Sequence, residues 1–471
     1  MNLRLKRNEI TAIVLFILFS IAILSSQRHF IDDMGRSVDG YFGLSDNGRP
    51  FADLLVMIVS FGTNLADSGS WIQIISIPIF LSIPFVVSKF SEGKIPPLAF
   101  IAAIINPFII ENMMYRYDSI SMSYSLFSSI FSCLLINKGW KYYALSFLML
   151  TSSIASYQAS MSSFIVLSIM LFITDNGCNF KKLAIRAFIF ALSYFCYSSV
   201  IAPLFIKGNY TKQYSQLIDF NNPIEFINNT SLLLKFCSEN AGGMLLILFY
   251  LSIFFCFCSL VYARISNRIG SLKLLLSLVL LPLMISMPIL VLSVLKYPFT
   301  APRVLMSLGV SFACILSIPC TINPIAKKVA FVISIISSIV AINMAFVVSA
   351  SNNAQMRYDD ALSSQILNTM QHVKDSGGEV KSIGFIGYMQ PSEISKRAFL
   401  KYHIAETLTP LYIKGNWWWG NYMLQLRGIN LKRVGIDQRS YICKNPKKGI
   451  FYNYSYEGET LILDFSKKTC R

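Results

Sequence analysis

Two adjacent aspartates, Asp32 and Asp33, stand in the stretch RHFIDDMGR (Arg28 to Arg36), just after an apolar run from Ile10 to Leu24. A carboxylate beside hydrocarbon needs water, a partner or a task. The chain is otherwise short of acid, with 24 Asp+Glu against 41 Lys+Arg, yet Asp32, Asp33 and Asp39 gather here with Arg28, Arg36 and Arg49. Further along come Glu111, Arg116 and Asp118 in ENMMYRYDS, then Tyr157 and Gln158, then Lys296 and Arg303 flanking KYPFTAPR. The topology argued below puts all of them on one side of a membrane, where they could converge on a cavity open to a lipid-linked substrate. Together they suit one reaction. A sugar leaving from a lipid phosphate requires no general acid. It requires cations to hold the developing charge, and the arginine fork suits phosphate best. It also requires one carboxylate to accept the proton of an incoming hydroxyl. On this reading Asp32 or Asp33 is the base, and Arg36, Arg116, Asp118, Gln158, Lys296 and Arg303 bind donor phosphate or substrate.

Neighbouring residues diverge by roughly 100° on a helix and oppose one another on a strand, so only one of the pair can aim at a given atom. The other orients an arginine or caps a helix. A structural alternative stays open for both, since two acids after a span can simply cap the next helix or balance nearby arginines. No Asp-x-Asp occurs in the chain and no glycine-rich loop follows a strand. This argues against a metal-dependent enzyme using nucleotide sugars, and the mechanism requires no metal or other cofactor.

These residues must be held by elements in a bilayer. Hydrophobic residues make up 54% of the chain and charged residues 14%, against roughly 25% charge in a soluble protein. Runs of about 20 apolar residues, the length that crosses the hydrocarbon, recur up to Ala350. Spans are expected near 8–26, 71–88, 95–111, 120–136, 142–158, 160–174, 183–205, 242–263, 274–296, 303–321 and 329–350. If the 142–174 hairpin is re-entrant, the count falls by two and the sidedness is unchanged. The first run has a basic front but no small-residue cleavage site, and reads as a retained helix. One set of loops is short and basic (Arg4/Lys6/Arg7, Lys89/Lys94, Lys138/Lys141, Lys181/Lys182, Arg264/Arg268/Lys273, Lys327/Lys328), which marks the cytoplasmic face. The long polar loops 27–70 and 206–241 lie opposite. An odd span count then puts the N-terminus inside and the tail outside. The net charge of +17 follows from this topology, and a nucleic-acid partner is excluded because the basic residues are scattered between spans.

The expected fold is a polytopic α-helical membrane protein of about 9–11 transmembrane helices, residues 1–350, with a small extracytoplasmic α/β domain, residues 351–471. Segment 53–66 is too short to span and is expected to lie along the outer face. Loop 206–241 carries Tyr210, Tyr214, Phe220, Asn221, Asn222 and Phe226, a mix suiting a sugar surface or an ordinary interfacial belt. In the tail, 355–374 and 392–406 read as helices, 380–389 as a strand and 448–465 as strand pairs. Trp417, Trp418 and Trp419 could stack on sugars, anchor at the bilayer or fill a core. Cys133, Cys178, Cys196, Cys237, Cys256, Cys258, Cys314 and Cys320 lie in or near spans and read as buried small hydrophobes. Cys443 and Cys470 lie in the polar tail and are expected to pair if it is in an oxidising compartment. His29, His372 and His403 form no zinc or iron signature.

The pattern resembles the membrane-embedded GT-C glycosyltransferases, and more narrowly the serotype-converting glucosyltransferases of bacterial and phage O-antigen modification clusters. The residues that carry the resemblance are the Asp32–Asp33 pair in the first outer loop, the stretch from Asn106 to Met122 (NPF…YRYDSISM), SYQAS from Ser156 to Ser160, and Ala301–Arg303. It covers most of 10–350 as a layout and matches the tail least. It implies undecaprenyl-phosphate glucose as donor, the O-antigen polysaccharide of lipopolysaccharide as acceptor, and the bacterial inner membrane as location. A lipid-linked-sugar flippase or other transporter would place charges in mid-span and show two related halves; here charges gather at span ends and no repeat is seen. An O-antigen polymerase shares the substrates and is poorly separated by sequence. A membrane O-acetyltransferase would need a histidine at the catalytic face, where only His29 qualifies.

Overall fold

The computed structural model describes residues 6–175, 179–437 and 441–470. The sequence readings placed on Arg4, on Cys178 and on the Tyr210 side chain lie outside what is described. Backbone groups cannot stay unpaired in hydrocarbon, so the apolar runs close their hydrogen bonds as helices. Among the described residues, eight helices are long and apolar enough to cross a membrane: Arg7–Leu24, Trp71–Phe90, Ser119–Lys138, Phe180–Phe205, Gly243–Ile265, Ser271–Ser293, Pro302–Ile322 and Ile325–Asp375. A bent pair, Pro97–Ala103 and Pro107–Met114, turns by 69° and makes a ninth crossing if counted as one. The protein is a polytopic helical membrane protein with a small C-terminal sheet.

One sequence expectation changes here, and the other finding falls on an alternative left open. The 95–111 span is broken, because Pro96, Pro97 and the Asn106–Pro107 step interrupt it. The 142–174 hairpin is two helices, Tyr143–Ser156 and Met161–Thr174, of 14 residues each. Each reaches about 21 Å at 1.5 Å per residue, short of the ~30 Å hydrocarbon thickness.

The chain divides into two compact units: Met1–Ser25, Phe42–Thr63 and Ser68–Phe346, and Ser26–Tyr41, Asn64–Asp67 and Val347–Arg471. In the first, the membrane unit, serine-rich helices pack closely, as small residues allow between helices that gain little from excluding lipid. The Ser125 hydroxyl donates to the Tyr157 carbonyl (3.0 Å) and Ser129 to that of Ser160 (2.9 Å). The same ladder ties Ser132 to Ser146 and Ser153 to Ser125. The NPF stretch is a capped helix start. Asn106 accepts from the Phe108 N–H (3.0 Å) and donates to the Ala102 carbonyl (2.9 Å), with Pro107 at the first helical position. Gly309 faces it from the helix Ser307–Ile322; a Cβ there would lie 2.1 Å from Asn106 Nδ2. Arg186 and Lys273 are buried and hydrogen-bonded, to Asn137 (2.6 Å) and to the Asp175 carbonyl. Cys133, Cys256, Cys314 and Cys320 are buried as expected, whereas Cys196 and Cys237 are half-buried and Cys258 is exposed on an outward helix face.

The second unit, the tail unit, is built on the polar end of a 52-residue helix, Pro324–Asp375. Sequence polarity suggests a span at 329–350 and a separate helix at 355–374. No glycine or proline stands between Pro324 and Gly377, so nothing stops the helix where the polarity changes. Against it packs a four-stranded sheet of β1 (Ser382–Ile386), β2 (Lys432–Arg433), β3 (Asn453–Glu457) and β4 (Thr460–Asp464), in the order β2-β1-β4-β3. β1 runs parallel to β2 and β4, and β3–β4 is an antiparallel hairpin turning at Gly458, whose φ of 61° suits glycine. The 392–406 region forms two helices, Glu393–Lys401 and His403–Thr407, split at extended Tyr402. The core joins Leu362 and Ile366 of the long helix to Phe385, Leu461 and Leu463 of the sheet, and includes Met34, Tyr412 and Trp419. Of the tryptophan triplet, Trp419 is therefore core, Trp417 packs against it, and Trp418 is 48% exposed. Cys443 and Cys470 are joined in a disulfide, with Cα atoms 5.1 Å apart.

Candidate active site

Each unit holds one cluster of the residues singled out in sequence. In the tail unit Asp32 and Asp33 occupy the first turn of the helix Asp32–Asp39. Both stand at the partial positive end of the helix dipole. The two acids differ. Asp33 is fully buried, while Asp32 is half-exposed and so open to a substrate. Arg36, three and four residues on, is buried on the same helix. A Cβ at Gly35 would crowd the Tyr41 hydroxyl at 2.9 Å, while the Trp419 ring at 3.5 Å would be in ordinary contact. Asp39, near the other end, accepts from the Tyr422 hydroxyl at 2.5 Å.

The turn before the acids is strained. Ile31 has φ 41° and ψ −103°, in a half-plane that a β-branched residue avoids. Strain of this kind costs about 1–3 kcal/mol and persists only where the surroundings hold it. What holds it is Tyr412. The phenol oxygen accepts from the Ile31 N–H (3.3 Å) and donates to the His29 carbonyl (2.5 Å). The Tyr412 ring lies under the Arg28 guanidinium, 4.1 Å from centroid to Cζ. Arg28 in turn pairs with Asp359 of the long helix at 2.9 Å, with both side chains buried. Gln355 donates to the same carboxylate (3.2 Å). Burial pushes the Tyr412 phenol up to about 12 against the lowering effect of Arg28, so it remains a neutral donor at physiological pH.

In the membrane unit the sequence candidates form a cationic cluster. Arg303 is the second residue of a short turn, Pro302–Leu305, and pairs with Glu111 on the helix Pro107–Met114. Glu111 accepts from the Arg303 backbone N–H at 2.9 Å and lies 3.6 Å from the guanidinium. Arg303 also stacks on Tyr115 (4.9 Å) and Phe299 (5.3 Å). Arg116 and Asp118 occupy the tight turn that leads from that helix into Ser119–Leu135. Gln158 accepts from Arg49 Nε at 3.3 Å and donates to the Tyr197 hydroxyl at 2.6 Å. Arg49 lies over the Tyr157 ring (4.7 Å), and Tyr157 buries a hydroxyl that has no hydrogen-bond partner among the described residues. Arg49, Glu111 and Asp118 are all in electrostatic range of that hydroxyl.

The structure thus gathers Gln158, Asp118 and Arg303 around Tyr157 and Glu111, with Arg116 between the latter's helix and the next. Lys296 is exposed, its ammonium 5.8 Å from the Tyr297 ring, and it joins no cluster among the described residues. Arg49 was noted in sequence only as a charge of the first loop; its place beside Tyr157 and Gln158 had no local signal. Tyr412 and Asp359 were not anticipated at all.

A family description, Glucosyl transferase GtrII, matches residues 5–314, about two thirds of the chain. The chain belongs to the GtrII glucosyltransferase family. It is therefore a membrane glycosyltransferase, and the clusters around Asp32–Asp33 and Arg303 both fall within the matched residues. Similarity to a further protein runs nearly end to end. That protein, described as an uncharacterised 55.3 kDa protein in the gtrB 5′ region of Salmonella phage P22, is 28% identical over 488 residues, covering 96% of this chain and 97% of its own. No solved structure matches. Tyr412, Asp359 and the sheet lie beyond the stretch matched to the GtrII family.

Proposed function

We propose that this GtrII-family enzyme transfers glucose from undecaprenyl-phosphate glucose to the O-antigen repeat of lipopolysaccharide, at the periplasmic face of the bacterial inner membrane. The single observation that supports the reading is the half-exposed carboxylate of Asp32 at a helix N-terminus in the tail unit of a glucosyltransferase. Asp32 takes the proton of the acceptor hydroxyl as its oxygen attacks the anomeric carbon. The bond to the lipid phosphate breaks on the opposite face, so configuration inverts in one displacement. Asp33, buried beside it, orients the turn. Within the membrane unit, Arg303, set by Glu111, and Arg116 are the cations suited to bind the donor's lipid phosphate, with Asp118 near them and Gln158 holding Arg49.

The sidedness rests on the basic loops and the helix count. Among the described residues eight helices are long and apolar enough to cross, and nine crossings result if the bent pair is one span; we take it as one and the short 142–174 hairpin as re-entrant. An odd count of nine, with the short basic loops, supports reading the basic N-terminus as cytoplasmic and the tail as periplasmic. A half-exposed carboxylate also fits a role toward a polymer arriving from water better than a transporter's mid-span charge.

The test is glucosyl transfer by purified single variants in lipid. General base catalysis contributes about 10²–10⁴ in rate, so Asp32→Asn is expected to lose at least about a hundredfold in kcat while still inserting and accumulating. Asp33→Asn is expected to lose less. Near wild-type transfer by both Asn variants would overturn the assignment.

A further inference from the structure

We infer that Tyr412, far along the chain in the tail, is a positioning residue for the acid pair. Its phenol, braced by Arg28 and Asp359, clamps the strained backbone at Ile31 and so fixes where the helix bearing Asp32 and Asp33 begins. The inference rests on the catalytic reading of those acids and adds what aims them.

The geometry argues for a device rather than ordinary core packing. One phenol oxygen makes two hydrogen bonds, accepting from Ile31 N–H and donating to the His29 carbonyl, and so bridges the two residues on either side of Phe30. Those bonds hold the one backbone position between the first membrane helix and Asp32 that has a positive φ. The tyrosine is itself held from its other face by the Arg28 guanidinium, and Arg28 is fixed by a buried carboxylate on the long helix. Arg28 precedes the strained residue by three positions, so the brace and the clamp grip the same turn from both ends. A core tyrosine with only a packing role has no need of a strained partner. Here the strain lies immediately before the acids, and relaxing Ile31 to an ordinary φ would swing the first turn of their helix. A base displaced by about 1 Å can lose a hundredfold in rate, so the clamp would act on kcat and leave donor affinity alone.

The experiment compares Tyr412→Phe, Ile31→Gly and their combination in the full-length protein in lipid nanodiscs, with Asp32→Asn and Asp33→Asn alongside. Phenylalanine keeps the ring under Arg28 and the core packing, so the variant is expected to accumulate and melt near the wild type. Its kcat is expected to fall about 10- to 100-fold with donor KM within about threefold, and the Ile31 amide, no longer bonded, is expected to exchange faster with deuterium. Glycine tolerates positive φ without strain. Ile31→Gly in the Tyr412→Phe background is therefore expected to recover about tenfold in kcat, a rescue that a purely structural tyrosine would not permit. Arg28→Lys keeps the charge beside Asp359 but loses the planar stack; it is read in place of Tyr412→Phe should that variant fail to accumulate, and a KM-neutral fall in kcat is expected there too. The inference is overturned if kcat stays within twofold of wild type in these variants, or if glycine gives no rescue. If an Asn variant is inactive while Tyr412→Phe is normal, only the positioning role falls. If both Asn variants transfer normally, the acids are not the base and the positioning role falls with them.

Discussion

At the scale of single residues the arginines of the membrane unit are the most constrained. Arg303 is held by Glu111 through its own backbone amide and sandwiched between Tyr115 and Phe299. Its planar fork is thereby fixed before any phosphate arrives. Lysine would keep the charge but lose both the stack and the paired donors. In the proposed mechanism Arg303→Lys is expected to lower kcat/KM for the lipid donor about 10- to 100-fold, with protein level unchanged, as measured by initial rates over a donor titration. Glu111→Gln is expected to do less, because an amide oxygen still accepts from the Arg303 N–H. The acids and most of these arginines were legible in sequence, since charge is rare in this chain and each instance stands out. Their supports were not. Arg28 and Asp359 are 331 positions apart, and Tyr412 and Ile31 are 381 apart. Neither pair leaves a local pattern that periodicity or spacing could reveal.

At the scale of elements the spans were legible because hydrocarbon enforces one rule on every crossing helix. Breaks were harder to read. Asn106 and Pro107 carry an ordinary helix-start signal, yet it lies inside an apolar run long enough to pass as one span. The long helix was read as two because polarity changes at residue 351, although polarity is not what ends a helix. The seam between Asn106 and Gly309 gives the sharpest element-scale prediction. A Cβ at 309 would stand 2.1 Å from Asn106 Nδ2 and 2.8 Å from the Ala102 carbonyl, which is backbone and cannot move aside. Overpacking of this kind costs about 1–3 kcal/mol, and displacing the cap adds about 1. Gly309→Ala is therefore expected to lower the melting temperature and the yield of folded protein. Adding Asn106→Ala, which removes the clashing amide, is expected to cost less than the sum of the two single changes, as coupled neighbours do. Fluorescence-detected size exclusion after a heat ramp would read both.

At the scale of the whole molecule the end of the tail is tied down twice. Burial pushes the Glu457 carboxyl up, but hydrogen bonds from Tyr441, from the Lys444 N–H (3.0 Å) and from Ser455 (2.8 Å) outweigh it and hold its pKa below the usual value. A carboxyl with a depressed folded pKa adds stability that is present above its unfolded pKa, about 4.3, and is lost as pH falls through the folded one. The effect is small, since the group is largely solvated. Glu457→Gln should flatten the acid limb of the tail's stability below about pH 4.3 and leave it unchanged near neutrality in slope. The second tie is the Cys443–Cys470 disulfide, whose cysteines are 27 residues apart in sequence. In the chain-entropy model closing such a loop contributes about 3.5 kcal/mol. Paired Cys443→Ser and Cys470→Ser changes are expected to lower the tail's melting temperature by several degrees without altering the membrane helices. The bond also reports on topology, because a structural disulfide persists only where the compartment is oxidising. If the tail is periplasmic, as proposed, alkylation in freshly lysed cells followed by mass spectrometry should find Cys443 and Cys470 unmodified until a reductant is added. Deleting the periplasmic oxidant from the host should expose both thiols and lower the protein's half-life. Two free thiols in an unperturbed host would place the tail in the cytoplasm, and Asp32 and Asp33, which belong to the same compact unit, would go with it.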